Sequence, residues 1–339
     1  MRRVDCAEGL ALGGTSPTST RRSALPPSRA HASPPPPSEP PLPSPASLDG
    51  ALEVALALAD AAGAVCRQYF RSGVTVQCKG DQSPVTVADR EAEEAMRAVL
   101  RSRRPRDAVF GEEHGYEAGA LGRECQDASS PPHPQNPWLW VLDPIDGTKS
   151  FLTGKPLFGT LIALLHCGRP VLGVIDQPIL RERWVGVHGR KSTFNGQPLS
   201  LPASASPDDL REAHVYAGTP EQMRGRPAGP WSRVTAAVRS VQYSADCYAY
   251  GLLASGWCDL VVEADMKPYD CLALGPVVQG AGGVLTDWAG RELRWEGGPG
   301  QGVVYTCVAA GDARLHAQAL RMLDWTPEDE EIARREKRA

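Results

Sequence analysis

The sequence predicts a layered α/β fold, with helices and strands alternating along most of the chain. Apolar residues recur at helical spacing in two early segments, 49–69 and 88–100, so each segment would bury one face. Farther along, short apolar runs such as 108–110 and 139–142 are followed by acidic residues. Runs of this length are typical of buried strands, and these strands would deliver carboxylates at their C-terminal ends.

The first two elements are predicted to be amphipathic helices. One begins at Ser47 or Asp49, either of which could cap it, and ends near Tyr69. Its core face consists of Leu52, Ala55, Leu58, Ala62, Val65 and Tyr69. The other, 88–100, turns Ala92, Ala95, Met96, Val99 and Leu100 inward and Glu91, Glu94 and Arg97 outward.

The remaining elements are shorter. Glycine, serine and proline in segment 116–137 predict an exposed loop, and Asn195-Gly196 predicts a hairpin turn. Strands are predicted at 108–110, 139–142, 158–165, 171–176, 183–187, 241–243, 259–263, 284–286 and 302–309. Helices are predicted at 231–239, 247–255, 268–279 and 312–323, the third with proline in its first turn.

Composition excludes several classes of function. No stretch approaches the ~18 consecutive apolar residues of a membrane span. The net charge of −4 and the pI near 6.0 argue against a nucleic-acid-binding surface. The nine cysteines are odd in number and lack C-x-x-C spacing, which favours free thiols in a reducing compartment over disulfides or zinc. An anionic substrate would then need local positive charge, which metal ions can supply.

The two ends of the chain differ from the segment between them. The first 46 residues hold 11 of the 31 prolines, with arginines among serine and threonine. Such a segment cannot bury enough apolar surface to fold, and it favours an organelle transit peptide over a simple disordered tail. Asp5, Glu8 and Glu39 argue against targeting, because transit peptides are poor in acids. Residues 326–339 are predicted to be a charged, frayed and solvated tail.

Several acidic residues are predicted at strand ends or helix starts: Asp89, Glu112, Glu113, Asp143, Asp146 and Asp270. Converging carboxylates without histidine or cysteine ligands indicate a hard cation, Mg²⁺ or Mn²⁺ before Zn²⁺. Pro144 stiffens its turn, so the carbonyl of Ile145 can face a cation. Gly147 allows a close approach of the backbone, and a helix start at Thr148 would offer free amides to a phosphate.

Three motifs together resemble the inositol monophosphatase superfamily: Gly111-Glu112-Glu113, Trp140-Val141-Leu142-Asp143-Pro144-Ile145-Asp146-Gly147-Thr148, and Tyr269-Asp270 with Gly280-Ala281-Gly282-Gly283. The resemblance implies a five-layer α-β-α-β-α sandwich of the inositol monophosphatase and fructose-1,6-bisphosphatase type. It gives a catalytic domain at 47–325 with two coupled halves, 47–190 and 191–325. It also implies that Glu112, Asp143 and the Ile145 carbonyl hold one Mg²⁺ and that Asp143, Asp146 and Asp270 hold a second. A third, looser ion would lie near Glu112, and Mn²⁺ is an alternative metal.

The same resemblance implies a phosphomonoesterase reaction. A metal-bound water, oriented by Thr148 and Asp89, attacks phosphorus in line, with Glu112 among the catalytic residues. Gly147 and Thr148 would contact the phosphate. No phosphoenzyme is expected, because no serine or cysteine in these motifs is paired with a histidine.

The flanking residues resemble the histidinol-phosphate phosphatase branch, notably Lys149-Ser150-Phe151 and Asp246-Cys247-Tyr248, although Tyr269 replaces the tryptophan common in the superfamily. Histidinol phosphate carries an amine and an imidazole, so its pocket needs extra acids, and Asp246 and Glu263 are candidates. Each has a structural alternative: Asp246 could cap the helix at 247–255, and Glu263 could be a solvated strand end.

Other functions stay open. Inositol-1-phosphate phosphatase and 3′(2′),5′-bisphosphate nucleotidase are alternatives, since Lys149, Lys155 and Lys267 could meet a second phosphate. A catalytically silent regulatory homologue is another, although every metal position of the motifs carries its acidic residue. The expected partner is a small phosphate ester, without nucleic acid or membrane, and the family often forms homodimers. A transit peptide would place the chain in the chloroplast stroma, where plastid-bearing cells make histidine; a cytoplasmic location is the alternative.

Overall fold

The computed structural model describes residues 40–73, 76–78, 84–120, 137–199, 201, 206–295 and 303–336. Most of the proposed transit peptide and of the predicted loop 116–137 lies outside these ranges. The helices are α1 (Asp49–Tyr69), α2 (Val87–Arg103), α3 (Thr148–Leu152), α4 (Ala228–Ala237), α5 (Tyr248–Ala254), α6 (Pro268–Cys271), α7 (Leu274–Ala281), α8 (Ala313–Leu323) and α9 (Pro327–Glu336). No helix in the described ranges is both long and apolar enough to cross a membrane.

Fifteen strands lie in the described ranges. They are β1 (Val76–Cys78), β2 (Pro84–Thr86), β3 (Ala108–Gly111), β4 (Gly115–Glu117), β5 (Trp138–Asp146), β6 (Gly159–His166), β7 (Arg169–Gln177), β8 (Glu182–Val187), β9 (Thr193–Phe194), β10 (Gln197–Pro198), β11 (His214–Ala217), β12 (Ser240–Tyr243), β13 (Leu260–Met266), β14 (Val284–Thr286) and β15 (Tyr305–Ala310). An eight-stranded sheet has the order β10-β9-β8-β7-β6-β5-β3-β4, and a five-stranded sheet has the order β12-β11-β13-β15-β14. β1 and β2 form a separate antiparallel ribbon.

Three buried clusters stack these elements into five layers. One lies between helices α1 and α2 and one face of the eight-stranded sheet. A second fills the space between the other face of that sheet, helices α5 to α7 and the five-stranded sheet. The third covers the outer face of the five-stranded sheet with α4 and α8. The order is therefore α-β-α-β-α, and the expected five-layer sandwich is confirmed.

The predicted helix 268–279 is instead two helices, α6 and α7, separated at Leu272 and Ala273. The carbonyl oxygen of Ala273 lies only 1.9 Å from where a Cβ at Gly173 would be. The break therefore brings backbone against the eight-stranded sheet at a point where only glycine fits. Gly282, with φ of +104°, ends α7 in the left-handed conformation.

Two expectations about charged residues are wrong. Arg97 does not face solvent: it is buried, and its Nε donates to Glu93 at 2.8 Å. The C-terminal residues 327–336 are not a frayed end, because they form α9 with Glu330 and Arg334 buried. Glu330 accepts hydrogen bonds from the hydroxyl of Thr306 and the indole of Trp325, at 2.7 and 2.8 Å.

Strand β11 was not predicted, and the hairpin at Asn195-Gly196 is confirmed as β9 and β10.

Candidate active site

A bulge near the end of β5 brings two aspartates to one place. Asp143 pairs with Leu161 of β6 and Asp146 with Gly159, so between these pairs two residues of β5 oppose one of β6. Pro144, inside the bulge, has no amide to donate, and its carbonyl accepts from the hydroxyl of Thr160 at 2.8 Å. The amide of Ile145 donates to Asp143 at 3.0 Å. The bulge thus fixes the backbone that carries both carboxylates.

Asp270 joins these two residues from the second sheet. It lies in α6, which follows β13, and one carboxylate oxygen from each of Asp143, Asp146 and Asp270 lies within 4.8 Å of the others. Its carboxylate also accepts from the amide of Lys267 at 2.7 Å, which holds it at the helix start. The cluster is therefore assembled from residues more than 120 positions apart in the chain.

The electrostatics of this cluster suit a cation. Burial raises the pKa of Asp143 well above its usual value, and the neighbouring Glu112, Asp146 and Asp270 raise it further. Burial also raises the pKa of Asp146, with Asp246 and Asp270 adding to the shift. Ionised carboxylates this close repel each other, so a bound divalent cation would offset a large electrostatic cost. The oxygen-only donor set fits a hard cation such as Mg²⁺.

Glu112 reaches the cluster from a loop that a buried glutamate organises. Its carboxyl group acts on Asp143 and raises the pKa of that residue. Glu93 on α2 is fully buried and accepts from the amides of Glu113 and His114 at 2.7 and 3.2 Å. A Cβ at Gly111 would lie 2.1 Å from the Glu93 carboxylate, so glycine is required there. Glu93 and its partner Arg97 therefore shape the loop that carries Glu112.

Thr148, the first residue of α3, lies between two acceptors. Its hydroxyl is 3.5 Å from Asp89 Oδ1 and 3.3 Å from the carbonyl oxygen of Ile145. Asp89 is fully buried, and its other oxygen accepts from the amide and hydroxyl of Thr86, at 2.8 and 2.6 Å. The pairing of Thr148 with Asp89 is thus present as a long contact, and the hydroxyl can donate to only one acceptor at a time.

Asp246 belongs to the same site and does not cap a helix. Helix α5 begins at Tyr248 and has no side-chain cap, and the Asp246 carboxylate instead accepts from the Ser150 hydroxyl at 3.0 Å. A Cβ at Gly147 would lie 2.5 Å from Asp246 Oδ2. Burial raises the pKa of Asp246, while the bond from Ser150 opposes the shift. The loop before it is anchored by Lys155, whose ammonium donates to the Ser244 carbonyl at 2.7 Å.

Glu263 lies on β13 behind these residues, buried rather than solvated. It accepts from the hydroxyl of Tyr250 at 2.8 Å. Burial raises its pKa to about 8, with Asp246 and Asp270 among the groups that raise it further. Both structural alternatives from the sequence are therefore wrong: Asp246 is not a helix cap, and Glu263 is not a solvated strand end.

The structure gathers the predicted site residues into one region and adds four side chains or amides to which the sequence analysis gave no role, although Ser150 and Cys247 lie in the flanking motifs quoted there. Glu93, Ser150, Cys247 and Tyr250 each hydrogen-bond to a residue of the site or of its loop; the amide of Cys247 donates to Asp146 at 2.6 Å. Glu93 could have been found, since it lies on the inward face of α2 between Ala92 and Met96. Ser150 and Cys247 lie in the flanking motifs, but their partners are 96 and 101 residues away in the chain, so local sequence does not show these contacts.

Comparison with known proteins agrees with this geometry. Residues 47–324 match the model of the inositol monophosphatase family. A bifunctional phosphatase from Arabidopsis thaliana, the chloroplastic IMPL2, is 47% identical over 279 residues, covering 82% of this chain and 76% of that protein. A histidinol-phosphatase from Chlorobaculum parvum is 36% identical over 243 residues, covering 71% and 87%. The structure of an inositol monophosphatase from Zymomonas mobilis superimposes with a TM-score of 0.69 at 40% identity, covering 82% and 99%.

The fold and the acidic cluster define a phosphoric monoester hydrolase. The chain belongs to the inositol monophosphatase family.

Proposed function

We propose that this protein is a Mg²⁺-dependent histidinol-phosphate phosphatase, which converts L-histidinol phosphate and water to L-histidinol and phosphate. The observation that carries the substrate assignment is the position of Asp246, whose carboxylate lies against Gly147 beside the acidic cluster. A substrate with a primary ammonium would pair with this half-buried acid, whereas an inositol phosphate has no positive group to offer it. Relatives named histidinol-phosphatase, at 34–36% identity, support the same substrate.

The cluster of Asp143, Asp146 and Asp270 supports the metal ligands proposed from the sequence. Glu112, Asp143 and the Ile145 carbonyl would hold one ion, and Asp143, Asp146 and Asp270 a second. When bound, the cations would neutralise the phosphate and lower the pKa of a bound water. The backbone amides of Gly147 and Thr148 would donate hydrogen bonds to the phosphate. The Thr148 hydroxyl would donate to Asp89 and, with its oxygen, accept from the attacking water and so orient it.

The second acid, Glu263, would serve the amine or imidazole end of the substrate. Its pKa near 8 means that it takes up or releases a proton close to neutral pH. An imidazole that donates to it would favour the ionised form, and Tyr250 would hold the carboxylate in place.

Parallel assays test this assignment. The purified protein would be given histidinol phosphate, inositol 1-phosphate and adenosine 3′,5′-bisphosphate, with Mg²⁺ and with chelator. We expect histidinol phosphate to lead by at least about tenfold in kcat/KM, a difference of about 1.4 kcal/mol. A lead by either other substrate would overturn the substrate, and turnover of none would indicate a silent homologue.

We also propose that residues 1–46 are a plastid transit peptide and that 47–325 form the catalytic domain in two halves. The chloroplastic relative from Arabidopsis thaliana supports import. N-terminal sequencing of the endogenous protein tests it: a mature start near residue 46 is expected, and an intact Met1 would refute import.

A further inference from the structure

A cavity separate from the candidate active site lies between α1 and the β8–β10 end of the eight-stranded sheet. Its volume is about 660 Å³, within the range of small-molecule sites. None of the residues assigned to the candidate active site lines it. Apolar side chains form one part of its wall: Leu52 and Leu56 from α1, and Val185 and Val187 from β8. The cavity can therefore cover an apolar body.

The rest of the wall is strongly cationic. Five basic side chains and a single acid, Asp176, line the cavity, the basic ones being Arg67, Arg181, Arg183, Arg190 and Lys191. Arg183 is paired with Asp176 and Asp60, at 2.6 and 2.8 Å, and Arg190 is paired with Asp49 at 2.6 Å.

The other three basic residues are solvent-exposed: Arg67, Arg181 and Lys191. Among the described residues, no ion pair involves Arg181 or Lys191, whereas the charge of Arg67 acts on Asp176 and lowers the pKa of that carboxyl. The cavity thus concentrates positive charge in a protein whose net charge is −4. A local positive field of this kind attracts anions.

The turn that presents Arg181 is held rigidly. Arg181 has φ of +60°, a conformation that is uncommon for arginine. The Asn195 side chain donates to the carbonyl of Arg181 at 3.1 Å and accepts from the amide of Arg183 at 2.9 Å. Gln177 accepts from the amides of Ile179 and Leu180, both at 2.7 Å. Strain fixed by neighbouring side chains is typical of preorganised sites.

We propose that this cavity binds an amphiphilic organic anion. The apolar body lies on Leu52, Leu56, Val185 and Val187, and a carboxylate, sulfonate or phosphate group lies at Arg67, Arg181 and Lys191. An inorganic anion would leave the apolar wall in water, and a neutral apolar molecule would leave the cations unpaired. This site is independent of the proposed reaction.

Calorimetric titration with naphthalene-2-sulfonate tests the site, in Mg²⁺ with saturating inorganic phosphate to fill the catalytic region. The neutral naphthalene-2-sulfonamide has the same body without the charge. We expect one sulfonate per chain and at least tenfold weaker binding of the sulfonamide. The double variant Arg181→Glu/Lys191→Glu should lose at least tenfold in affinity for the sulfonate. The control Arg103→Glu, at an exposed arginine at the end of α2, should stay within twofold of the wild type.

Three results would overturn the proposal: no saturable binding, equal affinity for the sulfonamide, or unchanged affinity in the double variant. Circular dichroism and histidinol phosphate turnover within twofold of the wild type would show that the double variant is folded. Size-exclusion chromatography tests the alternative that a second copy of the chain, and not a small anion, occupies the cavity. If the wild type is a dimer that fails to bind the sulfonate and the double variant is a monomer, a second copy of the chain fills the cavity, and the proposal is wrong.

Discussion

The hydroxyl of Ser150 donates a 3.0 Å hydrogen bond to a carboxylate oxygen of Asp246, across 96 residues of sequence. Ser150 lies in α3, directly after the aspartates of β5, and Asp246 lies before α5. This bond joins the part of the proposed site that would hold the phosphate to Asp246, which would pair with the ammonium of the substrate.

Replacing Ser150 should therefore weaken substrate binding more than turnover. In Ser150→Ala the Asp246 carboxylate loses a donor worth about 1 kcal/mol, so we expect KM for histidinol phosphate to rise about fivefold with kcat within twofold. Thr153→Ala is the matched control, because its hydroxyl donates to the Lys149 carbonyl and not to Asp246. Equal effects of the two variants on steady-state kinetics would contradict this role.

Asp143 should be indispensable for activity, yet in the metal-free protein it should lower the stability of the folded state. Its carboxylate is buried among Glu112, Asp146 and Asp270, so Asp143→Asn removes both a proposed metal ligand and a source of repulsion. We expect kcat/KM to fall at least roughly 10³-fold, about 4 kcal/mol. In chelator the melting temperature should stay equal or rise, and the increase that Mg²⁺ gives the wild type should shrink. Near-normal turnover would refute the metal assignment; Asp209→Asn, at a surface ion pair, is the control.

Glu263 should make stability depend on pH. Its pKa is about 8 in the folded protein against a reference of 4.5, so the folded state holds the proton more tightly than the unfolded state. This contribution to stability is fully present below about pH 4.5 and is lost as the pH rises through about 8. Glu263→Gln removes the titration and keeps an acceptor for Tyr250.

Urea denaturation of both proteins in chelator, at pH 5 and pH 9, measures the effect. We expect the variant to gain on the wild type by a few kcal/mol between these two conditions, an order-of-magnitude figure. The exposed Glu331→Gln should show no such change. A constant difference between wild type and Glu263→Gln would contradict the pKa shift.

Helix α9 should contribute to stability through Glu330. Its carboxylate accepts from Thr306 and Trp325 and lies 3.5 Å from the buried Arg334. Glu330→Ala removes the acceptor and leaves a buried cation without this carboxylate, which should cost about 3 kcal/mol in urea denaturation. Glu331→Ala, one residue on, loses only an exposed pair with Arg335 and should change stability by less than about 0.5 kcal/mol. Equal losses would mean that α9 is not anchored by Glu330.

Local patterns were enough to predict α1, the strands β6 to β8 and the acidic residues Asp143, Asp146 and Asp270, because apolar periodicity and apolar runs are visible in adjacent residues. The strand predicted at 139–142 is longer, since β5 continues to Asp146. The bulge at Pro144 sets the geometry of the site but depends on pairing with β6, which local sequence does not encode. The charged residues of α9 suggested solvation, since composition cannot show that Glu330 is buried against Thr306 and Trp325. Arg97 was misplaced for the same reason: its partner Glu93 is buried with it.

Two reciprocal hydrogen bonds cross the site: Asp146 accepts from Cys247, and the neighbouring Asp246 accepts from Ser150. A metal ion at the proposed Asp146 site and a charged ligand at the proposed Asp246 site would therefore act on the same pair of backbone segments. By thermodynamic linkage, whatever factor the ligand contributes to metal affinity, the metal contributes equally to ligand affinity. Under the proposed function, a substitution at position 246 that changes the preferred substrate would also change the affinity for the metal.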